Sequence, residues 1–405
     1  MNKKHILVIS QYFFPENFRI NDICEEWIER GYEVTVVTGI PNYPQGDFFN
    51  GYGFRKKNRE NYKGINIIRL PIVPRGNSAF KLVLNYLSFV ISGGIWALFS
   101  KLNPTHVFIF EVSPMTQALP GIWFAQKKKI PCFLYVQDLW PENVEIVTGI
   151  HNKNILNVIG KMVDYIYKRT TKIFTTSNSF VTAISKRGVS LEKLKFWPQY
   201  AEEFYRVIGD KKNHSETDVL SFVFTGNIGN AQGLEILPKV AAKLKKLKLK
   251  RKVKFTLVGD GRYKTELINL VNINGVDDMF NFVDKQPAEL IPEILARHDV
   301  AVITLANSKL FSMTIPAKLQ SYMACGMPIL ASVEGECASI IKESNSGFSS
   351  SPDDVSSMVN NIIKFIDLPL EELRKMKINS ENYCTEFFNK RNLMNEMDVY
   401  IEKIK

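Results

Sequence analysis

The sequence predicts an α/β protein built from two doubly wound domains, each with a parallel sheet at its centre. Short apolar runs of strand length alternate with segments of helix length, which is typical of parallel sheets. This alternation occurs twice along the chain, on either side of a polar stretch. A length of 405 residues also favours two domains, because one hydrophobic core rarely organises so long a chain. Doubly wound domains bind ligands at the carboxyl ends of their strands, so we expect the two domains to face each other across a ligand-binding cleft.

The first predicted domain covers residues 1–205 and the second covers residues 219–383. In the first domain we expect strands at residues 6–10, 34–38, 65–70, 106–110, 132–136 and 172–176. In the second we expect strands at residues 221–225, 253–258, 280–283, 299–304 and 328–332. Residues 206–218 are polar and rich in turn formers, so they predict a linker. Residues 384–405 have a helical period, so we expect there a last helix; a return to the first domain is one option, and the sequence leaves open which domain the helix contacts.

The composition is that of a folded globular enzyme. Hydrophobic residues make up 45% of the chain and charged residues 23%, which excludes disordered and collagen-like classes. The net charge of +11 favours anionic partners. The five cysteines include no CxxC pair, so we expect free thiols in a reducing compartment and no zinc site. The chain opens on a predicted strand rather than a signal peptide, which favours the cytoplasm.

Residues 82–99 are the one segment whose composition suggests contact with lipid. The segment is near the lower length limit for a membrane span and is interrupted by Asn85 and by Gly93 and Gly94. A transmembrane helix, a buried helix and an interfacial helix all stay open. The basic runs at residues 55–57 and 127–129 lie in the same domain, so we expect docking to an anionic membrane surface. The basic run at residues 243–254 is interpreted as the solvated face of a helix, and no nucleic-acid partner is expected.

Two glycine-rich loops follow strands of the second domain. The first contains Gly226, Asn227, Gly229 and Gln232, and the second contains Gly259, Asp260, Gly261 and Arg262. Glycines let backbone amides approach an anion closely, and a following helix adds a favourable dipole, so both loops are candidates for binding phosphate. The alternative is a plain turn between a strand and a helix.

A third candidate is the segment Ser312, Met313, Thr314, Ile315 and Pro316, which precedes a short helix that carries Lys318. Backbone donors at this helix N-terminus, together with the lysine, would hold a diphosphate and stabilise the charge that grows on it as a leaving group. The alternative is a core helix whose lysine is solvated.

Polar residues of the first domain also follow predicted strands. Gln137, Asp138 and Glu142 follow the fifth strand, where one carboxylate can orient or deprotonate an acceptor hydroxyl. Capping of the next helix by Asp138 is the alternative. The first two loops mix prolines with polar side chains, as an acceptor site would; their candidate residues are Glu16, Asn17, Arg19, Asn42 and Tyr43.

Seven ordered blocks of the chain resemble the GT-B glycosyltransferases of family 4. The blocks lie at residues 11–16, 38–44, 138–142, 197–200, 226–233, 258–261 and 316–328. The resemblance implies two Rossmann-like domains that face a cleft, with the acceptor bound by the first and a nucleotide-sugar donor by the second. The pattern looks most like bacterial surface-polysaccharide enzymes that transfer N-acetyl-L-fucosamine. It therefore implies a UDP-sugar, a polyprenyl-diphosphate-linked saccharide acceptor in O-antigen or capsule biosynthesis, and the inner face of the cytoplasmic membrane.

The chain departs from the family pattern around the donor. Many members carry a Glu-x7-Glu pair where this chain has Met313 and Ser321, so contact with the ribose is expected from Gln320, Ser321 or another group. The usual Arg and Lys that neutralise the diphosphate fall at Asn227 and Gln232, which leaves Lys318, Arg262, Lys264 or backbone amides to supply positive charge. A frequent histidine falls at Gln137, so Asp138 is the acid/base candidate.

The resemblance implies a retaining transfer that needs neither a metal nor another cofactor. Two alternatives on the same fold are a nucleotide-sugar 2-epimerase and a catalytically silent nucleotide-binding subunit. An epimerase would release a rearranged sugar without any acceptor, whereas a silent subunit would bind nucleotide without turnover.

Overall fold

The computed structural model describes residues 4–144, 149, 152–209 and 219–404. The chain divides into two compact units. The first unit comprises Met1–Thr176, Phe180–Trp197 and Glu396–Lys405, and the second comprises Ser177–Ser179 and Pro198–Asn395. Most of the predicted linker, residues 210–218, lies outside the described residues.

The first unit contains one mixed sheet. Its strands are β1 (His5–Ile9), β2 (Glu33–Gly39), β3 (Arg59–Tyr62), β4 (Ile65–Leu70), β5 (His106–Glu111), β6 (Cys132–Val136), β7 (Lys172–Thr175) and β8 (Leu194–Phe196). The strand order is β3-β4-β2-β1-β5-β6-β7-β8, and all neighbours are parallel except the β3–β4 hairpin at one edge. Every residue of β1, β5 and β6 is buried, as expected for central strands with helices on both faces.

Helices connect these parallel strands. They are α1 (Arg19–Glu29), α2 (Ala79–Phe99), α3 (Ala118–Lys128), α4 (Lys153–Arg169) and α5 (Asn178–Ser185). The end of the chain also packs on this unit: the Lys4 Nζ donates to the carbonyl of Ile401 at 2.6 Å, and the rings of Phe174 and Tyr400 lie 5.2 Å apart.

The second unit has a fully parallel sheet in the order β11-β10-β9-β12-β13-β14. Its strands are β9 (Val219–Thr225), β10 (Lys252–Val258), β11 (Phe280–Val283), β12 (Val300–Thr304), β13 (Ile329–Ser332) and β14 (Gly347–Ser350). Its helices are α6 (Ile236–Lys245), α7 (Lys264–Ile273), α8 (Ile291–Leu295), α9 (Lys309–Ser312), α10 (Ala317–Ala324), α11 (Glu336–Glu343), α12 (Val355–Asp367) and α13 (Leu370–Phe387), and α14 (Lys390–Lys403) follows.

The predicted doubly wound α/β architecture is confirmed, and each predicted strand coincides with an observed one to within two residues. Three strands were not predicted, namely β3, β8 and β14. Their sequences, RENY, LKF and GFSS, have only three or four residues and no continuous apolar run, and all three strands lie at sheet edges. The interpretation of residues 243–254 as one helical face is wrong: α6 ends at Lys245 and the run continues through a turn into β10.

Helix α2 contains the apolar segment 82–99 and has two unlike faces. Its inner face buries Asn85, Tyr86, Phe89, Gly93 and Ala97. Its outer face exposes large apolar side chains at a spacing of three or four residues, the period of one helix face; these are Phe80, Val83, Leu87, Ile91, Ile95, Leu98 and Phe99. We call this set the α2 stripe. Among the described residues, α2 is the one helix whose length and composition would allow a membrane span, and 28% of its apolar window is buried.

Candidate active site

The loops that follow β1 and β2 are tied together by the carboxylate of Glu16. This side chain is buried, and its oxygens accept hydrogen bonds from the backbone N–H groups of Asn42 at 2.8 Å, Tyr43 at 2.7 Å and Phe13 at 3.3 Å. Burial raises the pKa of Glu16 to about 7, and the three N–H donors oppose that rise because they stabilise the charged form. Glu16 thus holds the two predicted acceptor loops together, and its oxygens face the backbone rather than a ligand.

Asn42 has a similar internal role. It is fully buried, its Nδ2 donates to the carbonyl of Ile40 at 2.8 Å, and its Oδ1 accepts from the backbone N–H of Arg75 at 2.9 Å. The neighbouring Tyr43 differs, because it is 37% exposed. An exposed ring of this kind offers an apolar face on which a sugar can stack.

Three rings cluster at these loops. Tyr12 lies 5.2 Å from Phe18 and 5.5 Å from Tyr43, measured between ring centroids, and Phe18 lies 5.3 Å from Tyr43. Of the remaining predicted acceptor residues, Asn17 is exposed and Arg19 is half-buried at the start of α1.

Asp138 lies just beyond the carboxyl end of β6. Its Oδ2 accepts a hydrogen bond from the backbone N–H of Ser113 at 2.7 Å. The Ser113 hydroxyl in turn accepts from Trp140 Nε1 at 3.1 Å and from Asn143 Nδ2 at 2.8 Å, so the loop is firmly held. Burial raises the pKa of Asp138, with Ser113 acting in the opposite direction. A fixed carboxylate with a raised pKa suits a group that exchanges a proton with a substrate.

The other two predicted residues near Asp138 differ in exposure. Gln137 is half-buried, and its backbone N–H donates to the carbonyl of Glu111 at 2.8 Å. Glu142 is exposed. Neither position excludes a ligand contact, and their roles stay predictions.

Glu111, which sequence reasoning missed, ends β5 close to Asp138. Its side chain is fully buried, and no side chain among the described residues donates a hydrogen bond to its carboxyl oxygens. Burial raises the pKa of Glu111 well above its ordinary value, and the Asp138 charge adds to the rise, while the backbone N–H groups of Asp138 and Gln137 oppose it. The sequence carried one signal, a single carboxylate at the end of the otherwise apolar run that begins at His106.

In the second unit, the two glycine loops run against each other backbone to backbone. Gly226 N donates to Val258 O at 2.9 Å, and Ile228 N donates to Asp260 O at 2.8 Å. A Cβ atom on Gly259 would lie 1.8 Å from the carbonyl oxygen of Gly226, and Gly259 also has a φ of +153°. Glycine is therefore required for the loops to approach this closely.

Lys318 on α10 lies over this pair of loops. A Cβ atom on Gly226 would come within 2.9 Å of Lys318 Cε, and the Lys318 ammonium donates to Gln232 Oε1. The ammonium also lies 4.9 Å from the centroid of the Phe224 ring. Within the part of the chain that the structure describes, no carboxylate forms an ion pair with Lys318. Burial lowers the pKa of Lys318 to about 8, because desolvation disfavours the charged form.

The segment before α10 is a tight turn. The Ser312 hydroxyl donates to the carbonyl of Lys309 at 2.8 Å, and the Thr314 hydroxyl donates to the carbonyl of Phe311 at 2.9 Å. Met313 is half-buried, as is Pro316, whereas Ile315 is buried. The helix starts at Ala317 with Pro316 as its cap, two residues later than the predicted start near Ile315.

The expected ribose contact through Gln320 is not supported. This side chain is 1% exposed, and its amide nitrogen in the satisfied orientation donates to the carbonyls of Pro316 at 2.9 Å and Ala317 at 3.2 Å. The Ser321 hydroxyl likewise donates to the carbonyl of Ala317 at 3.2 Å. Both residues lie on the inner face of α10, which the sequence alone did not reveal because the helix is short and mixed in polarity.

The other predicted donor residues are distributed around the loops. Asn227, Asp260 and Arg262 are exposed, and Gly229 is half-buried. Lys264 forms an ion pair with Asp284 at 2.7 Å, so its charge is already compensated and it is a poor source of charge for a diphosphate. Among the described residues, no group of three His, Cys, Asp or Glu side chains is placed to hold a metal ion.

Comparison with known proteins agrees with these features. The family described as glycosyl transferases group 1 matches residues 208–383. The chain is 24% identical over 411 aligned residues to the putative colanic acid biosynthesis glycosyl transferase WcaI of Escherichia coli K12, covering 95% of this chain and 98% of that protein.

Solved structures share the fold. Sucrose-phosphate synthase from Thermosynechococcus elongatus superposes with a TM-score of 0.76 at 16% identity, covering 99% of each chain. HepE from Anabaena, in complex with UDP and glucose, superposes with a TM-score of 0.69 at 15% identity, covering 99% of this chain and 100% of that one. The protein is thus a glycosyltransferase with the GT-B fold, and residues 208–383 of its second unit match the group 1 family.

Proposed function

We propose that the protein is a retaining glycosyltransferase that moves a sugar from a UDP-sugar, bound by the second unit, to a lipid-linked saccharide, bound by the first. The observation that carries the donor half is Lys318. Lys318 is half-buried and has no ion-pair partner among the described residues. It lies against the loop at Gly226, where a Cβ atom would collide with the lysine side chain. A cation in that setting suits a diphosphate.

In the proposed reaction the bond between the anomeric carbon and the diphosphate oxygen lengthens first. Negative charge then grows on the diphosphate, and the Lys318 ammonium and the backbone donors around Gly226 stabilise it. The acceptor hydroxyl attacks the oxocarbenium-like sugar from the face that the diphosphate leaves, so the configuration is retained. Asp138 orients that hydroxyl, and the proton of the hydroxyl passes to the departing phosphate oxygen. We propose that lysine and backbone dipoles make a metal ion unnecessary.

The donor is proposed from two kinds of support. The HepE structure contains UDP and glucose, which supports a uridine nucleotide in this fold. The resemblance of the sequence blocks supports an N-acetylated 6-deoxyhexosamine, such as N-acetyl-L-fucosamine, as the sugar. With Gln320 turned inward, Asn227, Asp260 and Arg262 are exposed polar side chains of the glycine loops.

The acceptor is proposed to be a saccharide on polyprenyl diphosphate, in the assembly of a surface polysaccharide such as O-antigen, capsule or lipopolysaccharide. The name of the WcaI relative supports a polysaccharide pathway. An acceptor of this kind stays in the membrane, so the enzyme has to work at the membrane surface, and we propose a cytoplasmic protein that docks on the inner face of the cytoplasmic membrane.

The α2 stripe supports that docking. It exposes seven large apolar side chains along one helix face, including Ile91 at 64% and Phe99 at 75%. Cations lie at its C-terminal end: the Lys127 ammonium donates to the carbonyls of Ala97, at 3.2 Å, and Leu98, while Lys129 is exposed. An apolar face bordered by lysines suits an anionic bilayer surface.

A calorimetric titration with UDP, GDP and dTDP tests the donor half. We expect saturable binding of UDP to the native chain and a loss of about 10- to 100-fold in Lys318→Gln, because a charged hydrogen bond contributes about 1.5–3 kcal/mol. Lys342→Gln, which removes an exposed cation on α11, is the matched control and should bind UDP normally. Equal affinity in all three proteins would show that Lys318 does not hold the diphosphate, and absence of binding by every nucleotide would contradict the proposed donor.

A further inference from the structure

Arg75 is a cation of the first unit whose side chain contacts tyrosines. It lies in the loop between β4 and α2 and is half-buried. Its Nη1 donates to the Tyr12 hydroxyl at 3.0 Å, and its guanidinium lies 5.2 Å from the centroid of the Tyr43 ring. Across the described part of the chain, no carboxylate lies within ion-pair distance of it. Arginines removed from water are normally paired with an anion, so this position lacks the partner that such a charge requires.

The Tyr86 hydroxyl lies beside Arg75. Tyr86 is 7% exposed, its hydroxyl oxygen interacts with the Arg75 side chain, and no described residue accepts its proton. Burial raises the pKa of Tyr86, and the Arg75 charge acts against that rise, so the two groups face the same space. A buried phenol whose proton has no acceptor costs free energy unless a bound molecule accepts it. Both groups therefore present hydrogen-bond donors to the same space.

The position of this pair connects the α2 stripe with the predicted acceptor loops. Tyr86 is on the inner face of α2, opposite the exposed apolar side chains of the same helix. Its neighbour Asn85 accepts from Gln11 Nε2 at 2.7 Å and donates to the carbonyl of Val73 at 2.6 Å, which fixes the helix against the loops. The Asp138 carboxylate is close enough to add to the raised pKa of Tyr86, so the pair and Asp138 belong to one site.

We infer that Arg75 and Tyr86, with the ring of Tyr43 at their side, bind a phosphate of the diphosphate through which the acceptor saccharide is joined to its lipid. This inference rests on the proposed lipid-linked acceptor. A helix that lies with its apolar stripe in the bilayer carries its inner face at the depth of phosphate groups, where the diphosphate of such an acceptor is found. The planar guanidinium donates two parallel hydrogen bonds to a phosphate, and the phenol adds a third. The first sugar then extends from the diphosphate towards Asp138.

Farnesyl diphosphate is a suitable probe, with UDP present in excess so that the donor site is occupied. We expect Arg75→Gln to weaken its binding at least tenfold, Arg75→Lys to weaken it less, and Tyr86→Phe to weaken it several-fold. Farnesol, which lacks the anion, should bind all the proteins equally. Lys56→Gln, which removes an exposed cation from the same unit, is the matched control. Tyr86→Phe removes a hydroxyl whose proton no described residue accepts, so it tests the inference even where Arg75→Gln disturbs the fold. Equal affinity for farnesyl diphosphate in the native protein and in Tyr86→Phe and Arg75→Lys would overturn the inference.

Transfer assays separate this subsite from a structural role. We expect Arg75→Gln to raise the KM for a diphosphate-linked acceptor while leaving the KM for a neutral alkyl glycoside unchanged. An equal rise for both acceptors would overturn the inference. Binding to phosphatidylglycerol vesicles should be the same with and without Arg75, and a loss there would assign the anion to a lipid headgroup instead. If the native chain binds no UDP, the proposed donor fails, and the titration with farnesyl diphosphate still decides the Arg75 subsite.

Discussion

At the scale of single residues, the site depends on ionisable side chains whose charge is set by burial. Burial shifts the pKa values of Lys318 and Glu111 in opposite directions: it lowers the pKa of the lysine and raises the pKa of the carboxyl group. Sequence reasoning found Lys318, because a lysine in the first turn of a helix that follows Ser312, Thr314 and Pro316 is a recognisable pattern. It missed Glu111, Arg75 and Tyr86, because a sequence does not show which charged or hydroxyl groups are buried together.

The lowered pKa of Lys318 predicts that UDP binding depends on pH. The cationic form is present below a pKa of about 8 and is lost above it, so affinity should fall with a slope that approaches tenfold per pH unit between pH 8 and 9. Lys318→Arg should flatten this profile, because a guanidinium keeps its charge throughout the range. The measurement is the Kd for UDP at pH 7, 8 and 9. A native profile as flat as that of the arginine variant would contradict the prediction.

The raised pKa of Glu111 predicts a stability effect of the opposite sign. The folded state holds a proton that the unfolded chain releases once the pH exceeds about 4.3, so Glu111 destabilises the protein increasingly above that pH. Glu111→Gln keeps the shape without the ionisation, and it should therefore raise the Tm at pH 7 by more than at pH 5. Glu29→Gln on the exposed face of α1 is the control. An equal rise in Tm at pH 5 and pH 7 would show that the stabilisation by Glu111→Gln does not come from removing the ionisation.

At the scale of elements, the sequence was most informative where one pattern dominates. Buried strands such as β5 and β6 are continuous apolar runs, and their bounds could be predicted almost to the residue. Helix α10 was harder, because eight residues of mixed polarity do not reveal which face is buried, so the burial of Gln320, a candidate for the ribose contact, could not be predicted. In α2, the polar Asn85 within an apolar run was the signal for the inner face, but only the contacts show which residues it meets.

The two faces of α2 predict different outcomes for substitutions on one helix. Ile91→Asp places a charge in the α2 stripe and should weaken binding to phosphatidylglycerol vesicles at least tenfold, because the transfer of a large apolar side chain is lost. It should leave UDP binding unchanged. Ile273→Asp is the matched control, since Ile273 is an 80% exposed isoleucine in the second unit. Flotation with vesicles measures both. If the two variants bind vesicles equally, α2 is not the docking face.

At the scale of the whole molecule, the last residues of the chain complete the first unit. Ile401 is 1% exposed, and its carbonyl accepts from Lys4 near the other end of the chain. His106 Nε2 lies 2.8 Å from the carbonyl oxygen of Ile404, and burial lowers the pKa of this histidine. The sequence predicted a final helix and a possible return to the first domain, but a helical period alone does not identify the partner of a helix.

This arrangement predicts that a core substitution near the end of the chain destabilises the first unit. Ile401→Ala should lower the free energy of unfolding by about 2–4 kcal/mol, as for other buried isoleucines. Val399→Ala, at a position that is 44% exposed, should change it by less than about 0.5 kcal/mol. Urea unfolding followed by the fluorescence of Trp27, which is buried in the first unit, measures both after the other tryptophans are replaced by phenylalanine. Equal stability of the two variants would mean that packing of Ile401 in the last helix contributes little to the stability of the first unit.

The carboxylate of Glu16 has a consequence for how this enzyme can diverge. One side chain fixes the backbone of two loops at Phe13, Asn42 and Tyr43, so an insertion or deletion in either loop would break bonds to both. Lineages that descend from this sequence can therefore exchange the side chains at the loop surface, such as Asn17 and Tyr43, far more readily than they can change loop length. New acceptor preferences should arise by point substitution on an inherited frame, and a comparison of descendants should find constant spacing between these loops beside variable residues.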